Sequence, residues 1–455
     1  MFAHAVCAAG EYVDKGKKAY RMKLERRKIN KIQSGEKLGA KGIRGNAACR
    51  AEGGHRAKVC RTVIPRLPAV CVSAAAALSL VLSLAGCGEV KRVQYQWQNG
   101  GVEQWEEAAL EAGIGSLAEE YYYDHLPEAL HEAYREIYVH LMRNEDSGTF
   151  LAEIGVEDFW KAYYAVLADH PEIFWIGTSA QIEESALSHK VVSYQFQPIV
   201  PVEARPSMRE QLEEAADACI SLIPAEASDY EKIKFVYEYL IDATEYDSNG
   251  ADSQSIQSVL LYHRSVCAGY SKAFQYILNR MGLFCTYITG TIAGSGDHGW
   301  NMVRIGENYY YVDVTWGDPV FVNRMEGDES SSMINYNYLC CTETELFKTH
   351  VPSDSVELPP CTSEDYNYYR INGYYYETFD YDTLHNALMN SVWNGEASIV
   401  MKFGSSEAYE TAKYELFENG MLSDPGQYLM EINGVSTWNY RYHTEDEFYL
   451  ITVYW

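Results

Sequence analysis

Three short stretches decide how this 455-residue chain is read. They are Ser265-Val266-Cys267-Ala268-Gly269-Tyr270-Ser271, then Asp297-His298-Gly299-Trp300-Asn301, then Tyr310-Tyr311-Val312-Asp313-Val314-Thr315-Trp316-Gly317-Asp318-Pro319. In order they hold a thiol, an imidazole and a carboxylate, the nucleophile, base and orienting acid that cysteine-based acyl transfer requires. Ala268, Phe274, Ile277 and Met281 recur at helical spacing, which predicts a helix from Cys267, with Ser265 as its N-cap and Gly282 as its stop. A cysteine in the first turn faces the positive end of the helix dipole, which favours thiolate, and the unpaired first-turn N–H groups can donate to an oxyanion. Residues 284–291 read as a strand, followed by a Gly294-Ser295-Gly296 turn. His298 then opens a second strand, 300–305, and Glu307-Asn308 turns the chain into a third, 309–315. His298 and Asp313 lie about equally far from that turn, so a hydrogen bond across the paired strands is expected.

These motifs resemble those of the transglutaminase-like superfamily. Its bacterial members carry Gly-Val-Cys-x-Gly-Tyr-Ala, then His-Ala-Trp-Asn, then Trp-Tyr-x-Val-Asp-x-Thr-Trp-Asp-Asp-Pro. The matching residues are Val266, Cys267, Gly269 and Tyr270; His298, Trp300 and Asn301; and Tyr310, Val312, Asp313, Thr315, Trp316, Asp318 and Pro319. Ser265, Ser271, Gly299 and Gly317 depart from the pattern, and His263 stands where the family has a turn glycine. Over residues 230–350 the resemblance implies an α+β, papain-like core, a helix packed on an antiparallel sheet. It also implies that Cys267 is the nucleophile, His298 the base and Asp313 the orienting acid. Gln254 is a candidate oxyanion-hole side chain, a role its local sequence does not itself support. A lone cysteine or histidine is more often a packed side chain, the reading that suits Cys285. Trp300, Trp316 and Tyr270 read as core or cleft wall.

Composition changes abruptly near residue 90. Residues 1–90 hold 17 Lys and Arg against 6 acids, and residues 91–455 hold 20 against 58. So acidic a body repels phosphate, which excludes nucleic acid as a partner. Before the boundary, the uncharged run 67–86 ends in Leu84-Ala85-Gly86-Cys87, a pattern similar to a bacterial lipobox in which Cys87 takes lipid. Its rivals are an uncleaved signal anchor and a buried helix. The expected organisation is a basic leader at 1–66, disordered or upstream of the true start; a lipoprotein signal at 67–87; and a tether at 88–101. An accessory, mainly helical α/β domain at 102–205 precedes a catalytic core at 206–350, and a small α+β domain occupies 361–455. Within these, helices are expected at 105–118, 126–142, 156–168, 207–222 and 228–246, with strands near 175 and at 191–199.

In the C-terminal domain Asn372-Gly373 reads as a hairpin turn, followed by helices at 382–389 and 406–418. Strands are expected there at 397–403, 427–432, 436–441 and 447–455. Tyrosines crowd residues 366–378, suited either to stacking on glycans or peptides or to ordinary aromatic strands. Cysteine spacing matches no zinc site, and no phosphate-binding glycine loop or calcium loop is present, so no cofactor or metal is expected.

The expected function is amide-bond chemistry on proteins or peptides, cell-wall peptides among them, through a thioester, by an enzyme lipid-anchored at the extracytoplasmic face of the cell membrane. The alternative is a non-catalytic envelope-binding scaffold on the same fold. Cys87→Ser is expected to abolish incorporation of labelled fatty acid and cleavage before residue 87, read by metabolic labelling and the mass of the N-terminal peptide; an unlipidated wild-type chain would overturn the anchor.

Overall fold

The computed structural model describes residues 120–247, 249, 253–293, 296–318 and 334–455. The expected lipidation site Cys87, the segments 1–66, 67–87 and 88–101, the helix at 105–118, Gly294-Ser295 and Pro319 lie outside the described residues. Among the described residues no helix is long and apolar enough to cross a membrane.

The N-terminal part runs α1 (Tyr121–His125), α2 (Glu128–Met142), β1 (Ser147–Thr149), α3 (Val156–Asp169), β2 (Ile176–Glu184) and β3 (Val191–Pro198). The strands form an antiparallel sheet in the order β1-β3-β2 beside the helices. Two buried carboxylates organise it. Glu136 accepts the N–H groups of Leu151 and Ala152, both at 2.7 Å, and Asp169 accepts those of Tyr122 and Tyr123 at 2.9 Å.

The central part runs α4 (Arg205–Ile220), α5 (Asp229–Ala243), β4 (Glu245–Tyr246), α6 (Ile256–Leu260), β5 (Arg264–Ser265), α7 (Cys267–Arg280), β6 (Cys285–Ile292), β7 (Gly296–Ile305), β8 (Asn308–Val312), α8 (Val314–Gly317), α9 (Glu343–Leu346) and β9 (His350–Pro352). Ser228 and Glu231 close a capping box on α5, which ties down two otherwise unpaired donors. Gly282, at φ +73°, ends the α7 segment as expected. The sheet order is β8-β7-β6-β9, antiparallel throughout, with α7 packed on β6 and β7. The N-terminal and central parts share one continuous apolar core, from Tyr121 through Trp175 to Trp300, which Tyr369, Phe448 and Leu450 of the C-terminal part also join. Polar ties cross it as well: Tyr122 Oη donates to the Tyr287 carbonyl (2.8 Å), and Gln275 Nε2 to that of Ala168 (2.8 Å).

The C-terminal part runs α10 (Tyr368–Ile371), β10 (Tyr375–Tyr376), α11 (Tyr381–Trp393), β11 (Ser398–Phe403), α12 (Ser406–Phe417), α13 (Ser423–Asn433), β12 (Arg441–Glu445) and β13 (Leu450–Tyr454), with sheet order β10-β11-β13-β12. A separate apolar cluster around Leu388, Met401, Tyr409 and Ile451 holds it together. Lys402, buried on β11, reaches Glu345 (2.6 Å) and Asn337 (2.9 Å) of the central part.

Several expectations are corrected. Asn372-Gly373 ends α10 rather than making a hairpin, because the Asn367 side chain caps a helical turn at Tyr369 and Arg370 and Gly373 supplies its left-handed exit. Residues 427–432 are helical, not a strand; they belong to α13, which ends at Gly434 with φ +64°. The strand expected at 436–441 instead begins at Arg441, where pairing with β13 starts. Of the tyrosines crowded at 366–378, Tyr368 stacks on Tyr336 at 3.6 Å, Tyr369 is buried and Tyr374 is exposed.

Candidate active site

Cys267 is the first residue of α7, with Val266 as N-cap. Ser265, expected there, does not cap the helix. It lies on β5, and its hydroxyl is engaged with the Ser253 carbonyl (2.8 Å) and the Ser258 hydroxyl (2.7 Å). The N–H groups of Gly269 and Tyr270 are spent on the Val266 carbonyl. Those of Cys267 and Ala268 are therefore the first-turn donors left over among the described residues. His263, at φ +55°, adopts the left-handed conformation that a turn glycine would take.

Asp313 is not a strand residue. β8 ends at Val312, and Asp313 caps α8, its Oδ1 accepting from Thr315 N (2.9 Å) and Trp316 N (3.1 Å). β7 and β8 pair Asn301 with Val312, so His298 stands diagonally from Asp313, not directly opposite. The expected bond forms nevertheless: His298 Nε2 donates to Asp313 Oδ2 at 2.7 Å. That leaves Nδ1 to face the thiol, and the Cys267 sulfur interacts with the imidazole.

Sequence reading missed a fourth group. His350, on β9 and fully buried, donates from Nε2 to the same Asp313 Oδ2 at 2.9 Å, and its Nδ1 accepts from Thr349 Oγ1 at 2.8 Å. Trp300 and Trp316 wall it in at 5.1 and 5.2 Å between ring centroids. No sequence signal marked it, because its partner lies 37 residues earlier in a different element. Among the described residues, His298, Asp313 and His350 are the one group whose donor atoms converge closely enough to ligate a metal, within 4.8 Å. Each already serves the His–Asp bonds, so a cation there would compete with the pair that orients His298.

The electrostatics follow from burial and pairing. Burial pulls the His298 pKa down, but the Asp313 charge, its hydrogen bond and the Cys267 sulfur outweigh that and raise it from 6.5 to about 10. Burial alone would raise the Asp313 pKa, yet the charge and hydrogen bond of His298, with those of His350, hold it well below the usual carboxylate range. The His298 shift is upward, so its contribution to folding is fully present below about pH 6.5 and lost as pH rises through about 10. Among the six described cysteines, all free thiols, Cys267 alone is partly exposed. Burial pushes up the thiols of Cys219, Cys285, Cys340, Cys341 and Cys361.

Helix and hairpin are clamped together. Ser271 Oγ donates to the Gly299 carbonyl (2.8 Å), and Asn301 Nδ2 donates to that of Ser271 (3.0 Å). A Cβ at Gly299 would stand 2.5 Å from the Tyr287 ring, and one at Gly317 would overlap Tyr237. Both departures from the family pattern are thus positions where an aromatic ring fills the space. Gln254, with no hydrogen bond of its own described, sits beside Ser253, whose carbonyl accepts the Val266 N–H at 3.2 Å.

A cysteine at a helix N-terminus, facing a histidine on an antiparallel sheet, defines the papain-like class of cysteine folds. Within that class the chain carries a transglutaminase-like core: residues 219–314 match the Transglutaminase-like superfamily. The chain is similar to the kyphoscoliosis peptidases of Mus musculus and Homo sapiens. The first is 26% identical over 106 residues (20% of this chain, 16% of the relative) and the second 26% over 118 residues (22% and 18%). It thus spans under a fifth of the length of these relatives. Among solved structures it is similar to a TGase (12% identity, TM-score 0.23, covering 40% of this chain and 52% of that one). A putative cysteine protease from Cytophaga hutchinsonii is also similar (12%, TM-score 0.22, 31% and 63%).

Two outcomes are expected. By imidazole NMR, His298 titrates near pH 10 in the wild type and at clearly lower pH in Asp313→Asn, because burial is then opposed by the Cys267 sulfur alone. His350→Phe leaves Asp313 Oδ2 one donor short and lowers folding stability by roughly 1–3 kcal/mol in urea titrations. His350→Gln, whose carboxamide can still donate, recovers part of that loss.

Proposed function

We propose that this chain is a cysteine acyl-transfer enzyme of transglutaminase-like type, held by lipid on Cys87 at the extracytoplasmic face of a membrane and acting on amide bonds of proteins or peptides. The observation that carries the reading is that the one partly exposed thiol among the described cysteines, Cys267, heads a helix beside the hydrogen-bonded His298–Asp313 pair.

In this reading the Cys267 sulfur attacks the amide carbonyl, and the Cys267 or Ala268 N–H takes up the developing oxyanion. His298, protonated through the neutral range, gives its proton to the departing amine, and the C–N bond breaks to leave a thioester. Asp313 keeps the imidazole in the required tautomer and stabilises its cation. His298 then takes a proton from the incoming amine or water, which attacks the thioester and restores the thiolate. An amine yields transamidation and water yields hydrolysis; the kyphoscoliosis peptidases, similar to this chain over 106 and 118 residues, carry the hydrolytic outcome in their name. The acidic body and the lipobox pattern support an envelope location with protein or cell-wall peptide substrates.

Cys267→Ala is expected to remain folded and to lose both turnover and labelling by thiol-directed electrophiles. Asp313→Asn should slow turnover with little change in KM, by less than the ~10²–10⁴-fold loss expected for His298→Ala. Undiminished turnover in a folded Cys267→Ala protein would sink the proposal.

A further inference from the structure

A cleft of about 290 Å³ opens between the β2–β3 strand pair and the nucleophile helix α7, bounded by His170, Ile176, Thr178, Gln197, Gln254 and Lys272 among others. It adjoins the catalytic centre by two routes. Along the first, the 253–255 loop that forms one wall accepts the Val266 N–H and the Ser265 hydroxyl, immediately before Cys267. Along the second, Lys272 Nζ lies 5.5 Å from the centroid of the Tyr287 ring, and that ring packs on Gly299, the neighbour of His298.

The charge of the cleft is the reverse of the chain's. A protein of net charge −27 lines it with a lysine and a histidine and, among the described residues, with no carboxylate. His170 is bonded to Glu172 (2.9 Å) outside the lining. Lys272, half-buried, has no acidic partner among the described residues; its one described contact is the Tyr287 ring. A cation drawn out of water is normally paired, as Lys402 is with Glu345 in this same chain. Burial, with no carboxylate opposing it, lowers the Lys272 pKa to about 8. An arriving carboxylate would raise it again and gain a charge-assisted hydrogen bond. Thr178, Gln197 and Gln254 add neutral polar groups that suit a peptide backbone, and Ile173 and Ile176 give the apolar wall typical of a ligand cleft.

We propose that this cleft is a substrate subsite for acidic peptides, in which Lys272 binds a carboxylate close to the amide presented to Cys267. The proposal rests on the acyl-transfer reading for its geometry, and it makes Lys272 a specificity-determining residue with no part in the bond changes.

The test uses matched pairs of alkylating probes that differ only in charge. Iodoacetyl-glycine against iodoacetyl-glycinamide places a terminal carboxylate; iodoacetyl-glutamate α-amide against iodoacetyl-glutamine amide places a side-chain one. The rate of Cys267 modification is followed by mass spectrometry. In the wild type the acidic member of at least one pair is expected to react about tenfold faster than its neutral partner, roughly the effect of one such contact. The favoured pair tells which carboxylate is read. In Lys272→Met the ratio should fall to about one, and in Lys272→Arg it should persist. A ratio near one in the wild type, or one unchanged in Lys272→Met, overturns the subsite.

Isothermal titration of Cys267→Ala with N-acetyl-glutamyl-glycine and with N-acetyl-glutaminyl-glycinamide reads the cleft without the thiol. Selective binding of the acidic peptide that disappears in the Lys272→Met background supports the subsite even if Cys267 proves unreactive, in which case the acyl-transfer reading alone fails. Equal binding of both peptides, with matched alkylation rates, removes the subsite and leaves the acyl-transfer reading standing.

Discussion

The buried carboxylate of Asp313 is the constraint around which the catalytic core is arranged. A carboxylate taken fully out of water is costly unless its lone pairs are filled, and here four donors fill them. Two are backbone N–H groups of α8 and two are imidazoles, from β7 and β9. Each donor fixes a piece of chain. Oδ1 starts α8 at the end of the β8 strand, and Oδ2 holds His298 in line with Cys267 and draws β9 against the far side of β6. The two histidines compete for one oxygen, yet with different consequences. His298 also interacts with the sulfur, whereas the second nitrogen of His350 is taken up by Thr349.

The nucleophile reaches this carboxylate system through a clamp of short polar side chains. Ser271 of α7 donates to the Gly299 carbonyl and accepts from Asn301, both on the hairpin, so the separation of Cys267 from His298 is set by two hydrogen bonds and not by packing alone. Tyr287 completes the clamp where Gly299 leaves room for its ring. The same ring carries the influence of the site outward to Lys272 and the cleft. Catalytic centre and cleft are thus neighbours through one aromatic side chain.

Two lysines drawn out of water to different degrees, Lys402 and Lys272, show how the fold treats cations in an acidic chain. Lys402 is neutralised by Glu345 and further held by Asn337, and it fastens the C-terminal sheet to the central part. Lys272 is given no such partner by the described residues. The difference separates a structural cation from one available to a ligand, because only an unsatisfied charge has free energy to gain on binding.

The sequence alone determined the identities and order of the cysteine, histidine and aspartate motifs, the helix that begins at Cys267, the strand before His298 and the one that follows it to Ile305, and the stop at Gly282. These are local properties, written in side-chain periodicity and in glycine's tolerance of positive φ. Sequence reading failed where a competing local bond or a distant partner decides. Ser265 looks like a cap but spends its hydroxyl on the 253–258 loop. Asp313 looks like a strand residue but turns the chain into α8. Residues 427–432 read as a strand yet take a helix that ends at Gly434. Only the tertiary structure could set His350 on Asp313 or leave Lys272 in a cleft without a carboxylate. Both depend on which chain segments meet, and a buried charge or hydrogen bond is satisfied by whatever folds against it rather than by its neighbours in sequence.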